Sequence, residues 1–395
     1  MLAVFRSTRK FTRRAFGLLA FLALAACDPI DFGGLTQPSG GGPTIDPNAP
    51  VPVALLLPRG SGNPGEALLA DSLENAARLA VADMRGAQID LRIYSTAGNA
   101  QTAAAEAVRA VNDGAKIIVG PLYAESANAV AVAVASRDVN VLAFSNNPTI
   151  AGGNLFVLGP TFENTARRLM GYARAQGRSR AVVVHATDVS GQLGRNAIQK
   201  AAAQNGMQVV DSVDYPLSQE GVASAIPRVK AAVDNGGADI VFLTSTPAGA
   251  LPLYASMLPS AGVRPETVQY MGLTRWDIPA QMLQQPGLQG GLFARPDPGR
   301  TAQFQSRYQA ATGDAPHPLA FVAFDGIAAI GALVANGNRN ALSRGALTQS
   351  SGFQGATGVF RLRNDGTNDR ALSVATIRNN NVVIVDQAPS SFAGF

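Results

Sequence analysis

Cysteine, histidine and tryptophan are almost missing from this chain. Among 395 residues there are one Cys, two His and one Trp. A single thiol excludes an intramolecular disulfide framework and a cysteine zinc cluster. The two histidines, His185 at the end of an apolar run and His317 between Pro316 and Pro318, make no H-E-x-x-H pair. There is no G-x-S-x-G elbow. The one S-x-x-K match, Ser7 to Lys10, precedes the first globular segment and no K-T-G follows it. No metal, no cofactor and no enzymatic activity are expected. Charge is scarce too: 15% of residues are charged against 47% hydrophobic, which is too apolar for a disordered chain. Long apolar runs are also few. One lies at the N-terminus, so a polytopic membrane protein is excluded.

The net charge of +5 is misleading. Five basic residues (Arg6, Arg9, Lys10, Arg13, Arg14) precede position 27 with no acid among them. Removing them leaves 27 basic residues against 27 acidic ones. No basic excess remains for nucleic acid, so no nucleic-acid partner is expected. The same stretch has the three parts of a signal peptide over residues 1–26. A basic region ends at Arg13-Arg14, an apolar region of about 12 residues runs to Ala26, and Leu24-Ala25-Ala26-Cys27 follows. That tetrapeptide resembles a bacterial lipobox, which implies acylation of Cys27 and a membrane anchor. Thr12-Arg13-Arg14-Ala15-Phe16 also resembles a twin-arginine export motif, so Sec and twin-arginine routes both stand. The resemblance implies a periplasmic location, anchored to the inner or the outer membrane.

Residues 27–50 hold Gly33-Gly34, Gly40-Gly41-Gly42 and several Pro, which predicts a flexible linker. Fully extended, its ~23 residues after Cys27 reach at most ~75 Å. From Val51 apolar runs alternate with helical periodicity. Val53 to Leu57 reads as a buried strand and Ala67 to Met84 as a helix. Ile89 to Tyr94, Lys116 to Val119 and Val139 to Phe144 read as strands, with helices over Ala100 to Asp113 and Ser126 to Ala135. The rhythm restarts after Gly159-Pro160. The pattern predicts an α/β fold: two Rossmann-like lobes, each with a parallel sheet. The tail, with Asn364-Asp365-Gly366 and Asn379-Asn380-Asn381 as turns, reads as strands.

Gly60-Ser61-Gly62-Asn63-Pro64-Gly65 matches G-x-G-x-x-G between a strand and a helix. A dinucleotide site needs an acid at the end of the second strand. Tyr94-Ser95-Thr96 stands there instead, and Pro64 removes an amide donor. The nucleotide reading is therefore set aside. The loop, Ser61 included, remains a candidate cleft wall because it lies at the carboxyl end of a parallel strand.

Several landmarks occur in order: Leu55-Leu56-Leu57-Pro58, Asn75 to Ala80, Ile117 to Leu122, Val141 to Pro148, Val182 to His185, Phe321 to Gly326, and Phe353 to Phe360 followed by Asn364-Asp365-Gly366. Together they resemble the type I periplasmic binding proteins of the leucine and branched-chain amino acid receptors. The resemblance implies two lobes joined by three crossings, near Leu158 to Thr161, Leu292 to Pro296 and Ser351 to Thr357. Lobe 1 would then comprise 51–160 plus 296–350, and lobe 2 would comprise 161–295 plus 351–388. It implies a small polar ligand in the cleft, at strand ends and helix N-termini.

Carried over residue by residue, the resemblance points to Tyr123 and Ser126 in the carboxylate-binding turn, Ser126 being either a helix cap or a ligand contact. It also points to Ser145 and Asn146, to Asp188, and to Asp325 in the return helix. In Gly272-Leu273-Thr274-Arg275-Trp276-Asp277, Thr274 and Arg275 stand where amino acid receptors place a carboxylate against the ligand ammonium. A buried ammonium without a counter-charge is costly. Thr274 and Trp276 join the candidates, with Trp276 as a core residue or an interface anchor. This loop, with the lipobox and linker, resembles the penicillin-binding protein activators, the LpoA-like lipoproteins. The expectation is a non-catalytic regulator contacting a bifunctional penicillin-binding protein. The alternative is a receptor for an ABC importer, with an ABC permease as its partner.

Overall fold

The computed structural model describes residues 42–392. The signal peptide, Cys27 and the first part of the linker lie outside the described residues. Residues 42–50 do not behave as a free tether. Ile45 is apolar and buried in the first lobe, and its N–H donates to Arg339 O at 2.9 Å.

Val53 to Leu57 are apolar in unbroken succession and fully buried, as a strand covered on both faces must be. They belong to β1 (Val51–Leu57). With β2 (Ile89–Ser95), β3 (Ile117–Val119), β4 (Val141–Ala143) and β5 (Leu155–Val157) it forms a parallel sheet of order β2-β1-β3-β4-β5. Helices α1 (Pro64–Asp83), α2 (Ala100–Asn112) and α3 (Ala124–Val134) connect these strands. The Gly60–Gly65 loop is explained by backbone conformation. Gly60 and Gly62 have φ of +88° and +78°, and Asn63 caps α1 by accepting from Gly65 N at 2.9 Å.

The chain then enters α4 (Phe162–Ala175) and a second sheet. Its strands are β6 (Arg180–Ala186), β7 (Gln208–Tyr215), β8 (Ile240–Leu243), β9 (Gln269–Gly272) and β10 (Leu292–Arg295), all parallel. They are joined through α5 (Val189–Gln204), α6 (Gln219–Asp234) and α7 (Leu251–Ser260). Then α8 (Pro298–Thr312), α9 (Ala320–Val334) and α10 (Arg344–Leu347) return to the first lobe, where α8 and α9 pack on α1. Three antiparallel strands follow: β11 (Phe353–Gly355), β12 (Gly358–Leu362) and β13 (Asn368–Arg370). Finally β14 (Ser373–Arg378) and β15 (Asn381–Asp386) add to the second sheet, giving β15-β14-β10-β9-β8-β6-β7. Among the described residues, no helix is long and apolar enough to cross a membrane.

Two expected boundaries move. Residues 292–295 are strand, so the second crossing narrows to Pro296-Asp297. The stretch after 351 does not go straight to lobe 2. Phe353 and Phe360 pair across β11 and β12, with ring centroids 5.6 Å apart, and bury in the core built by α1 and α9. The third crossing is thus at Ala371-Leu372, after β13.

Polar side chains tie these crossings together. Arg370 Nε donates to Leu158 O at 3.0 Å, and Asn368 Nδ2 donates to Val157 O and Gly159 O at 2.8 and 2.9 Å. Asn164 Nδ2 donates to Asn368 O at 2.9 Å, and the backbone adds a bond from Asp297 N to Thr357 O at 3.1 Å.

Candidate ligand cleft

Every parallel strand of a Rossmann-like sheet sends its carboxyl end to one edge, where the loops and helix N-termini gather. A cavity of about 960 Å³ lies at these edges. Its lining includes Asn146 to Thr149 from the first lobe and Asp188, Val189, Ser190, Leu193 and Asn196 from the second, together with the charged Glu163, Lys200 and Asp365. Two of the expected residues, Asn146 and Asp188, therefore meet across one cavity. Asp188 also caps α5, its carboxylate accepting from Gly191 N at 2.7 Å. Ser145 is buried behind Asn146, and its Oγ accepts from Asn147 N at 3.1 Å, setting the turn that presents Asn146.

The other expected residues divide. Tyr123 and Ser61 lie at the carboxyl ends of β3 and β1 and meet around Gly98. Tyr123 is 38% exposed. Burial first, and then the neighbouring Glu66 carboxylate, push its phenol up. Ser126 is not a cap: α3 starts at Ala124, Tyr123 is the N-cap, and no side chain caps that helix. Thr274 donates from Oγ1 to Ser245 O at 3.3 Å.

Trp276 and Asp325 are not brought to the cleft. Trp276 is fully buried in the second-lobe core, its ring 6.3 Å from Phe293. Asp325, also fully buried, binds Arg370 Nη1 and accepts from Ala356 N, both at 2.7 Å. Trp276 is apolar and sits opposite two glycines, while Asp325 has a cation and an amide for partners. Asp325 is satisfied inside the protein, whereas the Trp276 ring is packed in the core with its indole N–H unpartnered.

Four polar residues at strand ends were not among the expected contacts, although Arg275 was noted as a departure in its loop. Glu66 Oε2, Ser245 Oγ and Arg295 Nε are buried atoms with no hydrogen-bond partner. The fourth, Arg275, grips Asp277 with Nε to Oδ1 at 2.8 Å and Nη2 to Oδ2 at 2.6 Å. Arg295 Nη1 reaches the same carboxylate at 3.2 Å. Asp277, its side chain 7% exposed, is thus held between two cations. Burial first, and then Arg275, lower the pKa of Arg295 against the pull of Asp277, and the guanidinium remains charged at neutral pH. Two cations against one carboxylate leave a local positive excess in this loop. The only sequence signal was Arg275 within the divergent loop. Arg295 was hidden in a stretch read as a crossing. Among the described residues, no cluster of His, Cys, Asp and Glu suits a metal ion.

Two lobes built on parallel-strand sheets, with a cavity lined by loops of both, have the architecture of a binding protein. A family model for periplasmic binding proteins matches residues 50–381. The chain belongs to that family, whose members bind and do not catalyse. A comparison with curated proteins gave no match.

Solved structures share the fold. One is a branched-chain amino acid ABC transporter periplasmic ligand-binding protein from Burkholderia xenovorans, with TM-score 0.65 and 18% identity, covering 86% of this chain and 96% of that one. Another is an ABC transporter substrate-binding protein from Desulfitobacterium hafniense in complex with Leu, with TM-score 0.60 and 19% identity, covering 85% and 100%. A third is a solute-binding protein of an ABC transporter from R. palustris in complex with benzoate, with TM-score 0.53 and 16% identity, covering 87% and 97%.

Proposed function

We propose that this chain is a receptor for an ABC importer and that its cleft takes a small organic carboxylate without an α-ammonium group. The observation that carries this reading is Asp277 closed between Arg275 and Arg295. That carboxylate is spent on the protein's own cations, so an ammonium gains nothing there, while a ligand carboxylate gains a net positive charge and the guanidinium donors that Asp277 leaves over. The unpartnered Ser245 Oγ and Glu66 Oε2 call for hydrogen-bond donors or acceptors elsewhere on the ligand, as a hydroxylated acid supplies. Relatives of the same fold bind benzoate or 3,4-dihydroxybenzoic acid, which makes the chemistry accessible to the scaffold.

The test is a thermal-shift panel of benzoate, 3,4-dihydroxybenzoate and leucine. A carboxylate at a hundred times its Kd adds about 2.7 kcal/mol to native-state stability, a shift of several degrees. Arg275→Gln is expected to weaken binding about tenfold to a hundredfold, the loss of a charged hydrogen bond. Stabilisation by leucine alone, or an Arg275→Gln protein that binds as well as wild type, defeats the reading.

A second reading, the LpoA-like activator of a penicillin-binding protein, is favoured by the same closed loop, since a cleft that rejects amino acids need not hold any. It requires the purified chain to raise transglycosylase or transpeptidase turnover with no small ligand present. Lipid anchoring through Cys27 fits either role. We expect wild-type protein to partition with membranes and a Cys27→Ala variant to be recovered in the soluble periplasmic fraction. Equal partitioning of the two would remove the anchor.

A further inference from the structure

A second cavity lies away from the ligand cleft, behind the crossings. Its volume is about 780 Å³, within the range of small-ligand sites. One wall is a stripe of α4 carrying Arg167, Arg168 and Tyr172. The other is Arg361 and Arg363 at the end of β12, Asp369 and Arg370 on β13, and the apolar Leu372, Val385 and Phe392.

The charges do not balance. Arg370 is committed to Asp325, and Arg168 to Asp386 and two carbonyls. That leaves Arg167, Arg361 and Arg363 around one carboxylate, Asp369, whose side chain is 3% exposed. Burial pushes the Asp369 carboxyl up, but the three guanidiniums outweigh this and hold it below the ordinary carboxylate range. Each of the three gives Asp369 a single hydrogen bond, so most of their donors are left over. Asp365 approaches Arg363 from the cleft side and reduces the excess, but it does not line this cavity. The Arg361 guanidinium also lies 4.7 Å over the Phe392 ring, so an aromatic shelf adjoins the cations.

We propose that this cavity is a second ligand site, selective for a phosphate monoester whose organic group lies on Tyr172, Leu372 and Phe392. A phosphate offers three acceptor oxygens to planar guanidinium forks, and the apolar wall takes the rest. Arg167 stands on a lobe 2 helix, whereas β12 packs in the lobe 1 core. A bound phosphate would therefore bridge the lobes at the back of the hinge.

The test is calorimetric titration of the full chain with phenyl phosphate, with inorganic phosphate as a second probe. Wild type is expected to show one saturable site for phenyl phosphate, with inorganic phosphate at least tenfold weaker. The double variant Arg167→Gln, Arg363→Gln should lose at least tenfold in affinity. Both side chains are about a third or more exposed, so the fold should tolerate the change. If that variant melts early, Arg363→Lys is read instead: it keeps the charge and loses the fork, and a clear loss of affinity is expected. Arg275→Gln, in the ligand cleft, should leave phenyl phosphate binding unchanged even if carboxylate binding there fails. No saturable binding, binding indifferent to Arg167 and Arg363, binding abolished by Arg275→Gln, or inorganic phosphate binding as tightly as phenyl phosphate each overturns the proposal.

Discussion

Replacing Arg370 with alanine is expected to lower folding stability by about 3–5 kcal/mol, the usual cost of stripping one partner from a buried ion pair. Asp325 is fully buried on α9, and its carboxylate has two partners, Arg370 Nη1 and Ala356 N. With the guanidinium removed, a desolvated charge keeps one amide. The local backbone offers no replacement. Gly355 approaches Asp325 so closely that a Cβ would stand 2.5 Å from Oδ1, and the carboxylate is fixed in a slot. Arg370 also donates to Leu158 O and lies 5.1 Å from the Phe321 and Phe360 rings, so alanine leaves an unbonded carbonyl and a cavity too.

The measurement is urea unfolding followed through Trp276, the sole and fully buried tryptophan, whose emission reports its exposure. Arg363→Ala is the control, a partly exposed cation expected to cost about 1 kcal/mol or less. Equal losses in the two variants would mean that Asp325 is not held as an ion pair. Because Arg370 bonds the first crossing from the approach to the third, its loss should also loosen the hinge.

What could be read in the sequence follows from how many residues share a signal. Alternation of apolar runs and helical stripes is repeated from Val51 to Ile240, and it specified two parallel-sheet lobes. Strands of three or four residues carry little period of their own. Leu155 to Val157 went unseen, and Leu292 to Arg295 was taken for a crossing although it pairs with β9 and β14. The tail misled for a different reason. Phe353 and Phe360 look like any strand residues, and nothing local says which lobe's core receives them.

The site was harder still. Loop positions taken from the resemblance placed Asn146 and Asp188 across one cavity. The same method put forward Asp325, whose partner stands 45 residues later on another element. Charge pairing between distant segments, such as Asp277 with Arg295, is invisible until the chain is folded. The charge of the loop after β9 is set by that pairing.

Trp276→Ala is the second large effect, again about 3–5 kcal/mol, and it separates a core role from a binding role. A ligand contact would be truncated with little change to the empty protein. A core residue would not. The indole fills a space made for it by Gly272 and Gly291. A Cβ on Gly272 would lie 2.1 Å from Nε1, and one on Gly291 would lie 2.3 Å from the far ring. Phe293 and the second-lobe core close the remaining sides. Alanine leaves a void with rigid walls, because both glycines are backbone and cannot swing in. The melting temperature of the unliganded protein should fall by on the order of 10 °C, read by circular dichroism since the fluorophore is gone. Trp276→Phe should cost less, because it removes less volume and also deletes the unpartnered indole N–H. The flanking Arg275 and Asp277 depend on this anchor for position, so Trp276→Ala should weaken carboxylate binding through the loop. A variant that melts like wild type yet loses ligand would place the indole in the cleft and overturn the core assignment.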